Sequence, residues 1–326
     1  MTNYTVRPFR ASELEYENLA ALLRTASPER RPESAEELRQ EDSSWPAESL
    51  HERVAAYSQD RKMAGIGTCY QAYWQDSPST VHIRFDIRPD HEKSQLLPLL
   101  YQGIQGLLAH RKCEFRRLMC GAREDDSERV QFLLGQGFRQ GVRSPSSALQ
   151  VATFDGSAYD RAYQRLAQDG IRLITLAQLY GEEPEWKRKL RDLRWEVVQD
   201  VPSTEPFAEP TEEEFEEMVL KDPALDEEAF FVALSADGTF IGMSNLWRND
   251  PAGKRLDTGL TGVIRSHRRR GIATALKMRT IQYAQTCGAE TIETSNEEGS
   301  PMLALNLKLG FEPKPAWVDY TRETSA

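Results

Sequence analysis

The chain has 326 residues, 39% hydrophobic and 28% charged, with a formal net charge of −10. That length predicts two domains, each able to bury its own core. The acidic balance argues against a nucleic-acid partner, which wants a basic stripe. No apolar run approaches the length of a membrane span, and Met1-Thr2-Asn3-Tyr4 lacks a signal-peptide core, so no membrane partner and a cytoplasmic location are expected. Cys69, Cys113, Cys120 and Cys287 show no C-x-x-C spacing, and the five histidines are dispersed. No disulfide framework and no metal are expected.

Taken in order, the first half opens with a strand pattern, Thr5 to Phe9, then a helix start at Ser12-x-x-Glu15. Strand-like runs follow from Met63 to Trp74 and from Thr80 to Ile87. A helix comes next, with Leu96, Leu99, Leu100, Ile104, Leu107 and Leu108 as its core stripe and Pro98 read in its first turn. After Gly137-Phe138, the segment Ser147 to Phe154 reads as the last strand of this half. Tyr159 to Gln168 reads as a short helix stopped by Asp169-Gly170.

The second half repeats this order. Ile171 to Ile174 matches the opening strand, Thr175-x-x-Gln178 the helix start, and Phe230 to Trp247 the strand-rich run. Leu256 to Val263 matches Thr80 to Ile87, and Gly310-Phe311 matches Gly137-Phe138. The distance from Ile87 to Phe138 is 51 positions, and from Val263 to Phe311 it is 48. The fold is therefore predicted to be duplicated and of α/β (α+β) class, with a mixed sheet flanked by helices in each copy. The domains are expected at 1–156 and 171–326, with 157–170 as a linker helix.

The chemistry concentrates in Val263-Ile264-Arg265-Ser266-His267-Arg268-Arg269-Arg270-Gly271-Ile272-Ala273-Thr274. A β-like run passes into a helix with apolar spacing at Ile272, Leu276, Thr280, Ala284 and Cys287, and Gly288 is its expected stop. Cations at a helix N-terminus oppose the helix dipole unless an anion sits among them. Free N–H groups there can hold a diphosphate, with charge-assisted bonds from the arginines and glycine allowing close approach.

Arg268-x-x-Gly271-x-Ala273 resembles the Q/R-x-x-G-x-G/A signature of the GNAT superfamily of acetyl-CoA-dependent N-acetyltransferases. The setting supports the likeness: a strand before it, then a second strand (Ala289 to Thr294), Asn296, and a helix running from Pro301 to Leu309-Gly310-Phe311. The two-copy arrangement is similar to tandem members such as mycothiol synthase, which implies two GNAT-like domains, each with a mostly antiparallel twisted sheet. The resemblance implies that acetyl-CoA is the co-substrate. The backbone of Val263 and Ile264 should meet the pantetheine arm. Arg265 and the stretch Arg268, Arg269, Arg270, Gly271, Ile272, Ala273 and Thr274 should wrap the pyrophosphate, and Asn296 and Asn306 should approach the thiol end. Direct attack by a small-molecule amine in a ternary complex follows, with positioning and carbonyl polarisation as the main contributions.

Two positions depart from the family. Where many members have a tyrosine acid, five residues before Phe311, this chain has Asn306; where many have asparagine, twelve before it, it has Gly299. Tyr320 is a distant candidate acid, although Trp317 to Tyr320 also reads as a last strand. Asp257 and Glu293, on the two strands flanking the acetyl group, are candidate bases, with plain surface carboxylates as the other reading. In the first copy Glu92 stands where Arg268 does and Gln95 where Gly271 does, so that half is expected to keep the fold and lose the anion site. Between Glu205 and Glu228 lie eleven acids and one base, Lys221. They read either as a solvated helix face and loop or as an acidic rim for a cationic amine. The alternatives to an N-acetyltransferase are a non-catalytic acyl-CoA sensor and an acyl or aminoacyl transferase on the same fold. A monomer or weak homodimer is expected.

Overall fold

The structure is a computed structural model describing residues 4–27, 32–73, 79–111, 115–157, 160–201, 207–250 and 252–324. Residues 1–3, Trp74, Cys113, Tyr159 and Glu205, which figure in the sequence reading, lie outside the described residues. The chain divides into two compact units, Met1–Ser144 with Pro315–Ala326, and Pro145–Lys314.

In the first unit, β1 (Tyr4–Pro8), β2 (His51–Ser58), β3 (Met63–Tyr70) and β4 (Thr80–Ile87) are successive antiparallel neighbours. β4 then pairs parallel with β5 (Arg117–Arg123). Helices α1 (Glu13–Ala26), α2 (Ala35–Ser44), α3 (Lys93–Arg111) and α4 (Ser127–Gly135) complete the unit. Ser12 caps α1 through the Glu15 amide, but the Glu15 side chain accepts from Arg10 N–H instead of closing a reciprocal box. Pro98 is the sixth residue of α3, so it lies in the second turn and not the first, where it removes one helical hydrogen bond. The core of α3 is Leu96, Leu97, Leu100, Tyr101, Ile104 and Leu108, while Leu99 is only half-buried.

The strand β6 (Arg139–Gln150) passes from the first unit into the second, whose remaining elements follow. These are α5 (Asp160–Gln168), β7 (Arg172–Thr175), α6 (Leu176–Glu182), α7 (Trp186–Val198), the single turn α8 (Glu212–Phe215), β8 (Leu225–Leu234), β9 (Phe240–Trp247), β10 (Arg255–Val263), α9 (Ile272–Thr286), β11 (Thr291–Ser295) and α10 (Pro301–Lys308). β7, β8, β9 and β10 are antiparallel neighbours, and β10 pairs parallel with β11. The run from Phe230 to Trp247 is thus two strands joined by a hairpin. Thr175 and Gln178 form a reciprocal capping box at α6, as their spacing predicts.

Each sheet therefore has four antiparallel strands and then one parallel step, which is the duplication expected from sequence. The sixth strand of each departs from expectation. Residues 146–150 of β6, read as the last strand of the first copy, pair antiparallel with β11 in the second unit. The final strand β12 (Glu312–Glu323) pairs from Trp317 onward with β5 in the first unit. Alternation of side chains shows that a segment is a strand and says nothing about which distant edge it will join. The expected linker helix α5 packs within the second unit: Leu166 is buried in its core, and the Tyr163 hydroxyl donates to the Ala275 carbonyl at 3.1 Å.

Candidate active site

The parallel neighbours β10 and β11 pair at Arg255↔Thr291, Leu256↔Ile292 and Asp257↔Glu293, and no further. Beyond that point β10 continues against β9 as far as Val263↔Gly242, and β11 against β6 as far as Ser295↔Ser146. Two parallel strands that stop pairing while both continue leave unpaired backbone groups on facing edges, a fork able to take an extended ligand between them.

A bulge shapes the β10 side. The register with β9 slips between Thr258 and Thr261, where the Leu260 N–H donates to Asn245 Oδ1 at 3.0 Å. Gly259 fits there because a Cβ would come within 2.4 Å of Trp247 Nε1 and 2.5 Å of Asn245 Nδ2. Further along, the Ile264 N–H donates to the Ile241 carbonyl at 3.0 Å, and the Ile264 carbonyl accepts from the His267 N–H at 3.0 Å. Ile264 thus has no free N–H, and the expected backbone contact narrows to Val263. By antiparallel alternation the Val263 groups point away from β9 into the fork. Its carbonyl already accepts from Arg268 Nε at 2.9 Å.

The loop from Arg265 to Gly271 turns the chain into α9. Arg269 adopts φ 64° and Gly271 φ 84°, both left-handed, and Gly271 is the N-cap of α9 with no side-chain partner. A Cβ on Gly271 would meet nothing within 4 Å, so its backbone conformation, not crowding by the protein, is what calls for glycine. The N–H groups of Ile272, Ala273 and Thr274 form the first turn of α9, where no helical acceptor exists. Arg268, Arg269 and Arg270 are exposed around them.

Sequence reasoning missed the acid in this loop. Asp200, just beyond α7, accepts from Arg265 Nη2 at 2.6 Å and also pairs with Arg268. Those hydrogen bonds, Arg265's the larger contributor, push the Asp200 carboxyl down to about 2. Arg270 pairs with Asp169 at 2.9 Å, while Arg269 has no partner among the described residues. Some sixty-five residues separate Asp200 from Arg265, so no local pattern announces the pairing.

The structure brings Asn296 and Asn306 together, with Asn306 Nδ2 donating to Asn296 Oδ1 at 2.6 Å. Asn306 is fully buried, and its Oδ1 has no hydrogen-bond partner. Asp257 and Glu293 are also brought together, as Cα partners across the last pair before the fork. Their neighbours Leu256 and Ile292 are buried with α9, so the two carboxylates lie on the opposite face of the sheet. Each is occupied: Asp257 pairs with Arg255 at 3.0 Å and accepts from Asn249 at 3.1 Å, and Glu293 pairs with Lys314. Tyr320 belongs to the first unit. It is 4% exposed in the first unit's core, opposite Cys120 on β5, because its strand joins that sheet.

A second missed residue is Lys277. It sits on α9, 1% exposed, with Nζ 3.3 Å from Thr258 Oγ1 at the mouth of the fork and 5.2 Å from the centre of the Phe311 ring. Burial pushes its amine down to about 7. Lys277 adjoins the apolar stripe of α9, a signal that the sequence carried but that reads as an edge position.

The matching start of α3 lacks these features. No residue from Arg88 to Gln95 has positive φ, Gln95 bonds the Glu92 carboxylate, and Lys93 pairs with Asp126 at 2.8 Å. Several of the acids beyond Glu205 have partners within the unit: Glu214 closes a capping box with Thr211, Glu216 pairs with Lys187, Glu217 with Lys221, Asp226 with Arg248, and Glu227 accepts from Tyr180. Among the described residues no group of His, Cys, Asp and Glu is placed to hold a metal ion, and no helix is long and apolar enough to cross a membrane.

Comparison with known proteins agrees with this architecture. No curated protein matches the chain in sequence. Among solved structures, a tandem GNAT protein from the clavulanic acid biosynthesis pathway superposes with TM-score 0.71 at 18% identity, covering 99% of each chain. A GCN5-related N-acetyltransferase from Sphaerobacter thermophilus gives TM-score 0.68 at 18% identity over 99% of this chain and 96% of its own. Saccharomyces cerevisiae N-myristoyltransferase, solved with myristoyl-CoA, gives 0.59 at 11% over 100% and 80%. Residues 189–311, which hold the fork and the arginine loop, match the acetyltransferase (GNAT) family model, and the chain as a whole shares its fold with a tandem GNAT protein.

Proposed function

We propose that the chain is an acetyl-CoA-dependent N-acetyltransferase acting on a small-molecule amine, with the second unit as the working one. The observation that carries this is the three-residue β10–β11 pairing that opens directly beside a left-handed loop at the start of α9. Acetyl-CoA, when bound, supplies an acyl carbon activated toward a neutral amine. The Val263 N–H bonds the pantetheine arm. N–H groups from Arg268 through Thr274 hold the pyrophosphate, with Arg265, Arg268 and Arg269 adding charge. The orphaned Asn306 Oδ1, fixed by Asn296, is an acceptor for a pantetheine amide or the thiol. Asp257 or Glu293 takes the amine's proton, directly or through water, after loosening its present cation.

Amine-dependent release of free thiol from acetyl-CoA is the test. Binding without release on any amine would leave the sensor reading in place. One acetyl-CoA per chain is expected by calorimetry, because Glu92 and Gln95 replace the anion-holding groups in the first unit; two would show that unit to be functional.

Asp200 gives a separate prediction. Its carboxylate competes with phosphate for Arg265 and Arg268, so Asp200→Asn should bind coenzyme A about twofold to fivefold more tightly, the worth of a partly exposed ion pair. The gain should shrink in high salt. Weaker binding would show instead that Asp200 holds Arg268 in place for the ligand.

A further inference from the structure

On the Asp257 face of the second unit's sheet lies a cavity of about 260 Å³ between α7, β9 and the β10 bulge. Phe230, Met243, Trp247 and Leu260 give it mostly apolar walls, and Arg194 and Asn245 are polar residues among its described lining. Trp247 is the Cα partner of Asp257, so the cavity adjoins the point where β10 and β11 part.

Arg194 is anomalous for its surroundings. On the same helix Lys187, Arg188, Lys189 and Arg191 each pair with an acid. From Ile171 to the C-terminus the chain carries 27 acids against 19 bases. Arg194 nevertheless has no hydrogen bond or ion pair among the described residues, and burial alone holds its pKa below the usual guanidinium value. Asn245 is 1% exposed, and its Oδ1 is committed to the Leu260 N–H, which fixes the orientation of the amide. Its Nδ2 is a buried donor with no partner. Leaving such a donor unsatisfied is destabilising, and a desolvated, unpaired cation more so. Both vacancies are donors, and among the described residues no carboxylate lines the cavity.

We propose that this cavity is the acceptor site and that Arg194 and Asn245 Nδ2 bind the carboxylate of an amine acceptor whose remaining body is apolar. A carboxylate meets a guanidinium through two parallel hydrogen bonds and still has lone pairs for an amide donor. The cavity lies at the small end of ligand pockets, which run from about 300 to 1,000 Å³, so it suits a compact amino acid and not a peptide. This assignment rests on the acetyl-transfer reading for its amine and on the cavity alone for its carboxylate. It differs from the expectation of an acidic rim, of whose carboxylates Glu214, Glu216, Glu217, Asp226 and Glu227 have partners within the unit.

Two measurements test it. Calorimetry with straight-chain and phenyl-substituted carboxylic acids of three to nine carbons, each beside its amide, should show the acid bound at least tenfold more tightly. Arg194→Met should abolish that ratio and Arg194→Lys should restore part of it. Equal binding of acids and amides, no acid that binds, or a ratio that survives in Arg194→Met would overturn the assignment. Thiol release is then compared for amino acids, their amides and the decarboxylated amines, with kcat/KM for the acid at least tenfold higher; an equal or better amide would also overturn it. Should no amine release thiol while carboxylates still bind through Arg194, acetyl transfer fails and the carboxylate site stands.

Discussion

Gly271→Val should weaken acetyl-CoA binding about 100-fold, and Arg268→Glu should do the same by another route. Valine is β-branched and resists the left-handed φ of 84° that Gly271 adopts, and forcing it there costs on the order of 1–3 kcal/mol. The loop relieves that strain by rotating, which turns the N–H groups of Gly271 and Ile272 away from the position of a diphosphate. Each tenfold in affinity is about 1.4 kcal/mol, so two misdirected donors account for the expected loss. Beyond its chain neighbours no protein atom lies within 4 Å of the added Cβ, so any fall in the thermal midpoint should be modest and come from the backbone strain alone. Arg268→Glu reproduces Glu92, puts a second carboxylate beside Asp200, and removes the bond from Arg268 Nε to the Val263 carbonyl. Calorimetric titration of both variants decides the matter. Unchanged affinity in the two of them would sink the pyrophosphate assignment.

Local signals carried the elements of this fold, and long-range pairing carried what they missed. Capping chemistry at Thr175 and the strand-like run from Thr80 to Ile87 belong to neighbouring residues, and both appear as read. The repeat of Gly-Phe landmarks at matched spacing revealed two copies because each copy builds the same strand order. The partner of β12 is set by which exposed edge it satisfies, about two hundred residues upstream at β5, and that puts Tyr320 in the first unit's core. The arginine loop was legible because it is one continuous segment. The Arg194 cavity was not, since α7, the end of β9 and the β10 bulge contribute to it from stretches that show nothing unusual alone. In the sequence Arg194 is one more cation on a charged helix; only the pairing of its neighbours leaves it conspicuous.

Lys277 should make the protein less stable at pH 7 than an apolar residue would. In the unfolded chain its amine titrates near 10.4, whereas the folded value is about 7. Between those two values the unfolded state holds a proton that the folded state has lost, so stability rises with pH across this window. At pH 7 the group therefore carries most of its penalty, and at pH 10.5 and above it carries none. Lowering an amine's pKa by one pH unit on folding costs about 1.36 kcal/mol, so the penalty at neutral pH is of order several kcal/mol. Methionine has similar length, no charge and enough flexibility to fill the same space against Phe311. Loss of the Thr258 contact should return about 1 kcal/mol of that gain. Lys277→Met is thus expected to be more stable than the natural chain by about 2–4 kcal/mol at pH 7, with the gap closing toward pH 10.5. Denaturant melts of both proteins at pH 7, 8.5 and 10 give the comparison. If the variant is weaker at pH 7, then Lys277 is charged in the folded protein, held by the Thr258 hydroxyl and the Phe311 ring, and the desolvation argument fails.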